Sequence, residues 1–334
     1  MKGNRVLVYH LMIACIFLLL SCESAVMREF NTLMAGNNTQ ATKQMLNEVL
    51  SDNPGDAEAN YLMGNILMRE RNYGDAKIYF DHSLNTSSMY REHIEYMMER
   101  SYRIEVNEAI SSYSDERYHS AIQSIKQAKS IHSDRIEVYR LLGRLYKKTD
   151  QVEEAKLTYK ACLNLEAENR ECGINLAVLY KENENYVEAI DLSKKFLEYY
   201  PDDYGFKKNL VYTYFEGGDF DRAEESFDEL LQISFRYATL KQFANELNNR
   251  GEIYRAEKYY RRCLERRPMD QEVLSALSYI YMETGNFRLM VEANERLLIS
   301  NPNDISLKKN LMLSYELHGD IDKYRAMREE LGLD

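Results

Sequence analysis

The stretch NYVEAIDLSKKFLEYYPDDYGFKKNLVYTYFEGGDFDRA, residues 185–223, contains one short phrase twice. NYVEA ends at Ala189 and DFDRA ends at Ala223, 34 residues later, each with a ring three residues before the alanine. Pro201, between the two, cannot continue a helix, and Gly217-Gly218 sits in the turn ahead of the second phrase. The stretch therefore reads as helix, break, helix, turn, helix, and the phrase marks the start of every second helix.

Outward from there the phrase recurs. NYGDA ends at Ala76, RYHSA at Ala121, QVEEA at Ala155 and EIYRA at Ala256, so that successive spacings are 45, 34, 34, 34 and 33. A fixed period near 34 is the signature of a repeat array. With each alanine at position 20 of a 34-residue unit, all four prolines (Pro54, Pro201, Pro268 and Pro302) fall at position 32. Gly218, Gly251, Gly285 and Gly319 fall at position 15, and Gly64 and Gly143 at position 8. Each column has a cause. Small residues at 8 and 20 let a first helix, A, cross a second, B, closely. Position 15 is a turn where glycine takes a left-handed cap, and proline at 32 ends helix B.

These columns resemble the tetratricopeptide repeat. The resemblance implies an all-α fold, a right-handed superhelical solenoid of antiparallel helix pairs with about eight to nine units. The units run over 23–56, 57–90, 102–135, 136–169, 170–203, 204–236, 237–270, 271–304 and 305–334. Thr42 and Tyr324 replace the alanine in the first and last units, which read as caps of the array. The expected organisation is residues 1–21 as a signal segment, 22–90 as capping unit and first full repeat, 91–101 as a helical insertion, 102–304 as the main array and 305–334 as the C-terminal cap. The insertion is either a plain one or the front of a long helix A that begins near Met89, runs past Ile110, and forms a joint or docking edge.

Composition agrees with a helical array. Fourteen glycines, four prolines and no tryptophan in 334 residues, with abundant Leu, Glu, Ala, Lys and Arg, leave no beta-rich reading. The net charge of -11 without a basic stripe excludes a nucleic-acid binder, because phosphate neutralisation supplies most of such affinity.

The N-terminus is a different kind of segment. Lys2 and Arg5 precede an apolar run from Val6 to Leu20, and Ser21 precedes Cys22, in the order of a secretory signal. The run is shorter than the roughly 18 to 20 apolar residues of a membrane span. Leu19-Leu20-Ser21-Cys22 resembles a bacterial lipobox, although Leu20 is bulkier than the small residue usual there. That resemblance implies cleavage before Cys22 and acylation of its sulfur by two or three chains, enough for stable anchoring at about 0.8 kcal/mol per buried CH2. Glu23 in place of aspartate points to the outer membrane, periplasmic face. The alternatives are an uncleaved inner-membrane anchor or a simple signal with an incidental cysteine.

Catalytic and metal signatures are missing from the sequence. His82, His93, His119, His132 and His318 form no metal-ligand spacing, and no phosphate-binding loop, nucleophile elbow or dinucleotide fingerprint occurs. The expectation is a non-enzymatic chain without cofactor or small-molecule substrate. Cys162 and Cys263 share position 27 and read as small buried residues, while Cys172 stands alone near the start of a helix A, so that the spacing implies no disulfide. Most of the 27 tyrosines, at positions 11 and 17, read as core.

The family resemblance implies that partners bind on the inner face, at positions 2, 5, 9 and 12 of helix A. Those columns hold Arg140, Arg144 and Lys147; Lys208, Tyr212 and Phe215; Lys241, Asn245 and Asn248; and Tyr279 and Met282. Rings beside Lys and Asn suit an extended peptide or partner helix. The family's chaperone-tail clamp is matched only by Lys241 and Asn245, since Ala276, Ser306 and Asn310 follow, and two of five positions do not make a clamp for an Hsp70 or Hsp90 tail. The implied function is a membrane-anchored scaffold or adaptor for protein partners in cell-envelope assembly, whether pilus, secretion or outer-membrane protein machinery. The rival readings are a structural or oligomerising spacer without a peptide ligand and an adaptor held by an uncleaved N-terminal segment.

Overall fold

A computed structural model describes residues 24–333; the expected signal segment, residues 1–21, and the expected lipid attachment at Cys22 lie outside them. Among the described residues there are 18 helices and no strand. They pair as α1 (Ala25–Ala35) with α2 (Thr39–Asp52), α3 (Ala57–Arg69) with α4 (Tyr73–Thr86), α5 (Arg91–Ser114) with α6 (Tyr118–Ile131), α7 (Ile136–Lys148) with α8 (Val152–Leu165) and α9 (Arg170–Glu182) with α10 (Tyr186–Tyr199). The series continues with α11 (Tyr204–Glu216) and α12 (Phe220–Ile233), α13 (Tyr237–Asn249) and α14 (Ile253–Arg266), α15 (Gln271–Glu283) and α16 (Phe287–Ser300), and α17 (Ile305–His318) and α18 (Ile321–Glu330). Contacts divide the chain into two compact units at Pro201, the first holding α1–α10 and the second α11–α18. Each unit is an all-α solenoid of antiparallel helix pairs.

The turn inside every repeat follows one rule. Position 15 is left-handed in all nine: Asn37, Arg71, Glu116, Asp150 and Glu184 have φ between +56° and +60°, and Gly218, Gly251, Gly285 and Gly319 between +72° and +84°. The next amide then reaches back to the carbonyl at position 11, as from Asn72 to Leu67 at 2.9 Å and from Asp219 to Tyr214 at 2.9 Å. This is the bond that closes a helix C-terminus. Five repeats meet the requirement without glycine, which is why the glycine column is visible only in the second half of the chain.

Links between repeats are capped rather than merely broken. Asp56, Asp203, Asp270 and Asp304, each two residues after a column proline, accept an amide of the following helix A, for instance Ala59 N–H to Asp56 Oδ1 at 2.8 Å. Such caps contribute about 1 kcal/mol each. The Ala column (Ala76, Ala121, Ala155, Ala189, Ala223, Ala256) is fully buried. At position 8 a Cβ on Gly143 would lie 2.5 Å from the ring of Tyr159, so only glycine lets these two helices meet. Core rings in the second unit stack likewise, Phe227 on Phe243 at 4.0 Å with Tyr259 at their edge.

Of the two readings of residues 91–101, the structure takes the long helix A: they are the first turns of α5, 24 residues long where other A helices have 11 to 14, and it runs past Ile110. The cysteines differ from the sequence expectation: Cys162 and Cys172 are disulfide-bonded, with Cα atoms 6.4 Å apart. The bond joins helix B of one repeat, α8, to helix A of the next, α9. Spacing concealed it because both cysteines are buried at the place where the short 166–169 link brings consecutive helices face to face.

Candidate protein-binding faces on the A helices

In the first unit the expected basic residues are engaged. Arg140 Nε donates to Glu171 Oε2 at 2.5 Å, Arg144 lies 3.5 Å from the other oxygen of Glu171, and Lys147 lies 3.0 Å from Glu182. Both glutamates belong to α9, so the three cations tie neighbouring A helices together.

The second unit repeats the pattern. Lys241 sits 2.6 Å from Glu272 and 3.4 Å from Asp270, and its hydrogen bond to Glu272 raises its pKa. Asn245 accepts the Tyr260 hydroxyl at 2.7 Å, and Asn248 is half-buried. Phe215 is a correction: it is buried between Phe220 and Phe243 and presents no binding surface. Its position at the end of α11 turns the ring onto α12 and α13 instead of outward. Tyr212 is half-buried, with its hydroxyl shielded and unpartnered, and burial raises its pKa. Lys208 is exposed and stands 5.7 Å over the Tyr212 ring. Tyr279 and Met282 are open to solvent, at 53% and 37%.

A better-formed site lies where α3 faces the front of α5. Asn65, Met68 and Arg69 from α3 meet His93, Tyr96, Met97, Arg100 and Ile104 from α5 around a cavity of about 340 Å³. Asn65 and Met68 are at positions 9 and 12 of their repeat. Tyr61, at position 5, is hydrogen-bonded to His93 Nδ1 at 2.5 Å and stacked on Tyr90 at 4.1 Å, which fixes one end of the cleft. The Tyr90 hydroxyl donates to Glu58, and burial with that carboxylate nearby pushes its pKa up to about 12.

At the same repeat junction Arg71 forms an ion pair with Glu105 of α5. Within the cleft Asn65 Oδ1 is buried without a donor, while Tyr96 and Ile104 are 61% and 50% exposed. A buried acceptor without a partner beside exposed apolar side chains is an arrangement for receiving something. Asn65 and Met68 hold positions 9 and 12 of their repeat but carry no charge or ring to draw attention, and His93, Tyr96, Met97 and Arg100 fall where the register stops at Tyr90 and resumes at Tyr102. The 11-residue slip, containing Tyr96, Met97 and Met98, was their signal.

A larger cavity, about 480 Å³, opens between α14, α15 and α16. Arg261 and Arg296 on its rim are already tied, to Glu257 at 3.6 Å and to the Pro268 carbonyl. Among the described residues no cluster of His, Cys, Asp and Glu is arranged to hold a metal, and no helix is long and apolar enough to cross a membrane.

Family models described as tetratricopeptide repeat match residues 57–87, 136–169 and 180–242. The photosystem I assembly protein Ycf3 of Prochlorococcus marinus is 36% identical over 74 residues, 21% of this chain and 43% of that protein. The chain thus spans less than half the length of these curated relatives. Among solved structures, a tetratricopeptide repeat protein from Parabacteroides merdae aligns at 14% identity over 86% of this chain and 97% of its own, with a TM-score of 0.42. The type IV pilus biogenesis factor PilW aligns at 19% identity over 63% of this chain and 98% of its own, with a TM-score of 0.44. With the 34-residue register, its left-handed position 15 and these family matches, the chain is a tetratricopeptide-repeat protein.

Proposed function

We propose that this chain is a lipid-anchored, non-enzymatic adaptor that holds a segment of a partner protein against its A helices during assembly of a cell-envelope structure. The observation that carries the binding half is the α3–α5 cleft, where a buried, unpartnered Asn65 oxygen lies beside exposed Tyr96 and Ile104. Of the expected cations, Arg140, Arg144, Lys147 and Lys241 serve the array itself, whereas recognition groups in the cleft remain unspent. Acylation of Cys22 would tether the array, with the first repeat starting almost at the lipid. The Cys162–Cys172 disulfide supports an exported location, since such bonds persist in oxidising compartments. The curated relatives are named for assembly, and assembly is the role proposed for this chain.

Two measurements test this. Metabolic labelling with a radioactive fatty acid should mark the wild-type chain and not Cys22→Ala, which should also leave the membrane fraction. A photo-reactive residue at position 96 should crosslink a discrete partner in intact cells, whereas the same residue at Leu157, exposed on α8, should not. Labelling that ignores Cys22 defeats the anchor, and equal crosslinking from both positions defeats the binding face.

A further inference from the structure

The α3–α5 cleft also carries information about what it binds. Arg69 and Arg100 line it, both exposed, and neither has a carboxylate within ion-pair distance among the described residues. The chain has 54 acidic and 43 basic residues, and Arg71 and Arg103, close by in sequence, each contact one or more carboxylates. Two cations left unpaired around one cleft in an acidic protein form a local positive site. Between them the floor is apolar, from buried Met68 and half-buried Met97, with Tyr96 and Ile104 rising at the side. Methionine and tyrosine adapt to varied side chains without a fixed shape.

From this juxtaposition we infer that the cleft binds a short acidic-apolar segment of a partner protein, resting on the adaptor reading above. Its Asp or Glu side chains pair with Arg69 and Arg100, an apolar side chain sits on Met68 and Met97, and a backbone N–H donates to Asn65 Oδ1. Each contact uses a group that is unsatisfied in the free protein. Arginine forks grip carboxylates with two parallel hydrogen bonds, and the pairing is strengthened by the apolar surround. The net negative charge of the chain discourages acidic segments from settling at random on its surface.

The test uses the full chain in detergent, with a photo-reactive residue at position 96, against a displayed library of random dodecapeptides. Enriched peptides should carry an excess of Asp and Glu beside Leu, Ile, Met or Phe, and crosslink through position 96. Arg69→Glu with Arg100→Glu should weaken their binding by about tenfold or more, the scale of a lost charge-assisted contact. Asn65→Leu should weaken it without changing the acidic preference, and added salt should weaken binding to wild type more than to the double variant. An unchanged helical circular dichroism signal establishes that the exposed-arginine variants remain folded.

Peptides that crosslink at 96 but show no acidic bias, or bind the double variant equally well, overturn this inference and leave the adaptor reading standing. No peptide crosslinked at 96 overturns both. Binding of anionic phosphatidylglycerol vesicles that the same arginine changes abolish, with no acidic peptide enriched, assigns the cationic pair to lipid and overturns the inference as well.

Discussion

Arg71 and Glu105 form a two-pronged ion pair across a repeat junction, Nε to Oε1 at 2.8 Å and Nη2 to Oε2 at 2.5 Å. Glu105 is fully buried on α5, and Arg71 occupies the left-handed position 15 between α3 and α4. The Tyr73 hydroxyl donates to the same carboxylate at 2.6 Å, and burial together with that bond pushes its pKa up to about 12. A turn residue in a conformation unfavourable for a side chain is thus the one that aims a guanidinium at the long helix.

Removing one partner should cost more than removing both. Arg71→Ala leaves a buried carboxylate with only Tyr73 and should destabilise the protein by about 3 kcal/mol. Adding Glu105→Gln should return part of that loss. Urea midpoints of the two single variants and the double variant give the coupling directly, and additive losses would show that the pair contributes nothing of its own.

Position 15 offers a paired experiment. Glu184→Gly relieves a left-handed residue and should stabilise by up to about 1 kcal/mol, whereas Gly218→Ala should destabilise by about the same amount. Opposite shifts in thermal midpoint are the expected outcome. Shifts of one sign would mean that the turn is not held left-handed in solution.

The Cys162–Cys172 bond closes a short loop across the α8–α9 junction. Cys162→Ala with Cys172→Ala should cost about 2–3 kcal/mol of stability, measured by urea denaturation under non-reducing conditions. Free Cys263 is buried, with its thiol pKa raised to about 11 chiefly by burial. Under non-reducing conditions alkylation of the folded protein should therefore label none of the three described cysteines, and after unfolding it should label, of these three, Cys263 alone.

Asp270 sets a pH dependence. Burial favours its neutral form, but hydrogen bonds from Tyr237 at 2.7 Å and the Val273 amide, with Lys241 nearby, outweigh it and hold the pKa below the usual carboxylate value. The folded pKa is the lower one, so this stabilisation is present above about pH 4 and is lost as pH falls through the folded pKa. Asp270→Asn should lower stability at pH 7 and flatten the acid side of the stability profile. An unchanged acid limb would assign that loss to other carboxylates.

Much of the fold was legible. The alanine, glycine and proline columns put all nine helix pairs in register, because each column reflects a local demand: a close crossing, a left-handed turn, a helix stop. Glycine at position 8 was read correctly as a close approach, since Gly143 admits the Tyr159 ring. The site was legible in outline only. Positions 5, 9 and 12 do lie on the A helices, but whether a cation there is available depends on what faces it, and Glu171, Glu182 and Glu272 face Arg140, Lys147 and Lys241 from the next repeat.

The sequence by itself determined the helical repeat, its period and its turns, because those follow from interactions within one unit of 34 residues. Only the tertiary structure decided the rest: that Phe215 turns inward, that Cys162 meets Cys172, and that Arg69 and Arg100 are left without carboxylates beside Asn65. Each of those facts is a relation between successive helices, fixed by how the long α5 lies against α3 or how a link brings α8 onto α9, and no single helix's pattern encodes it.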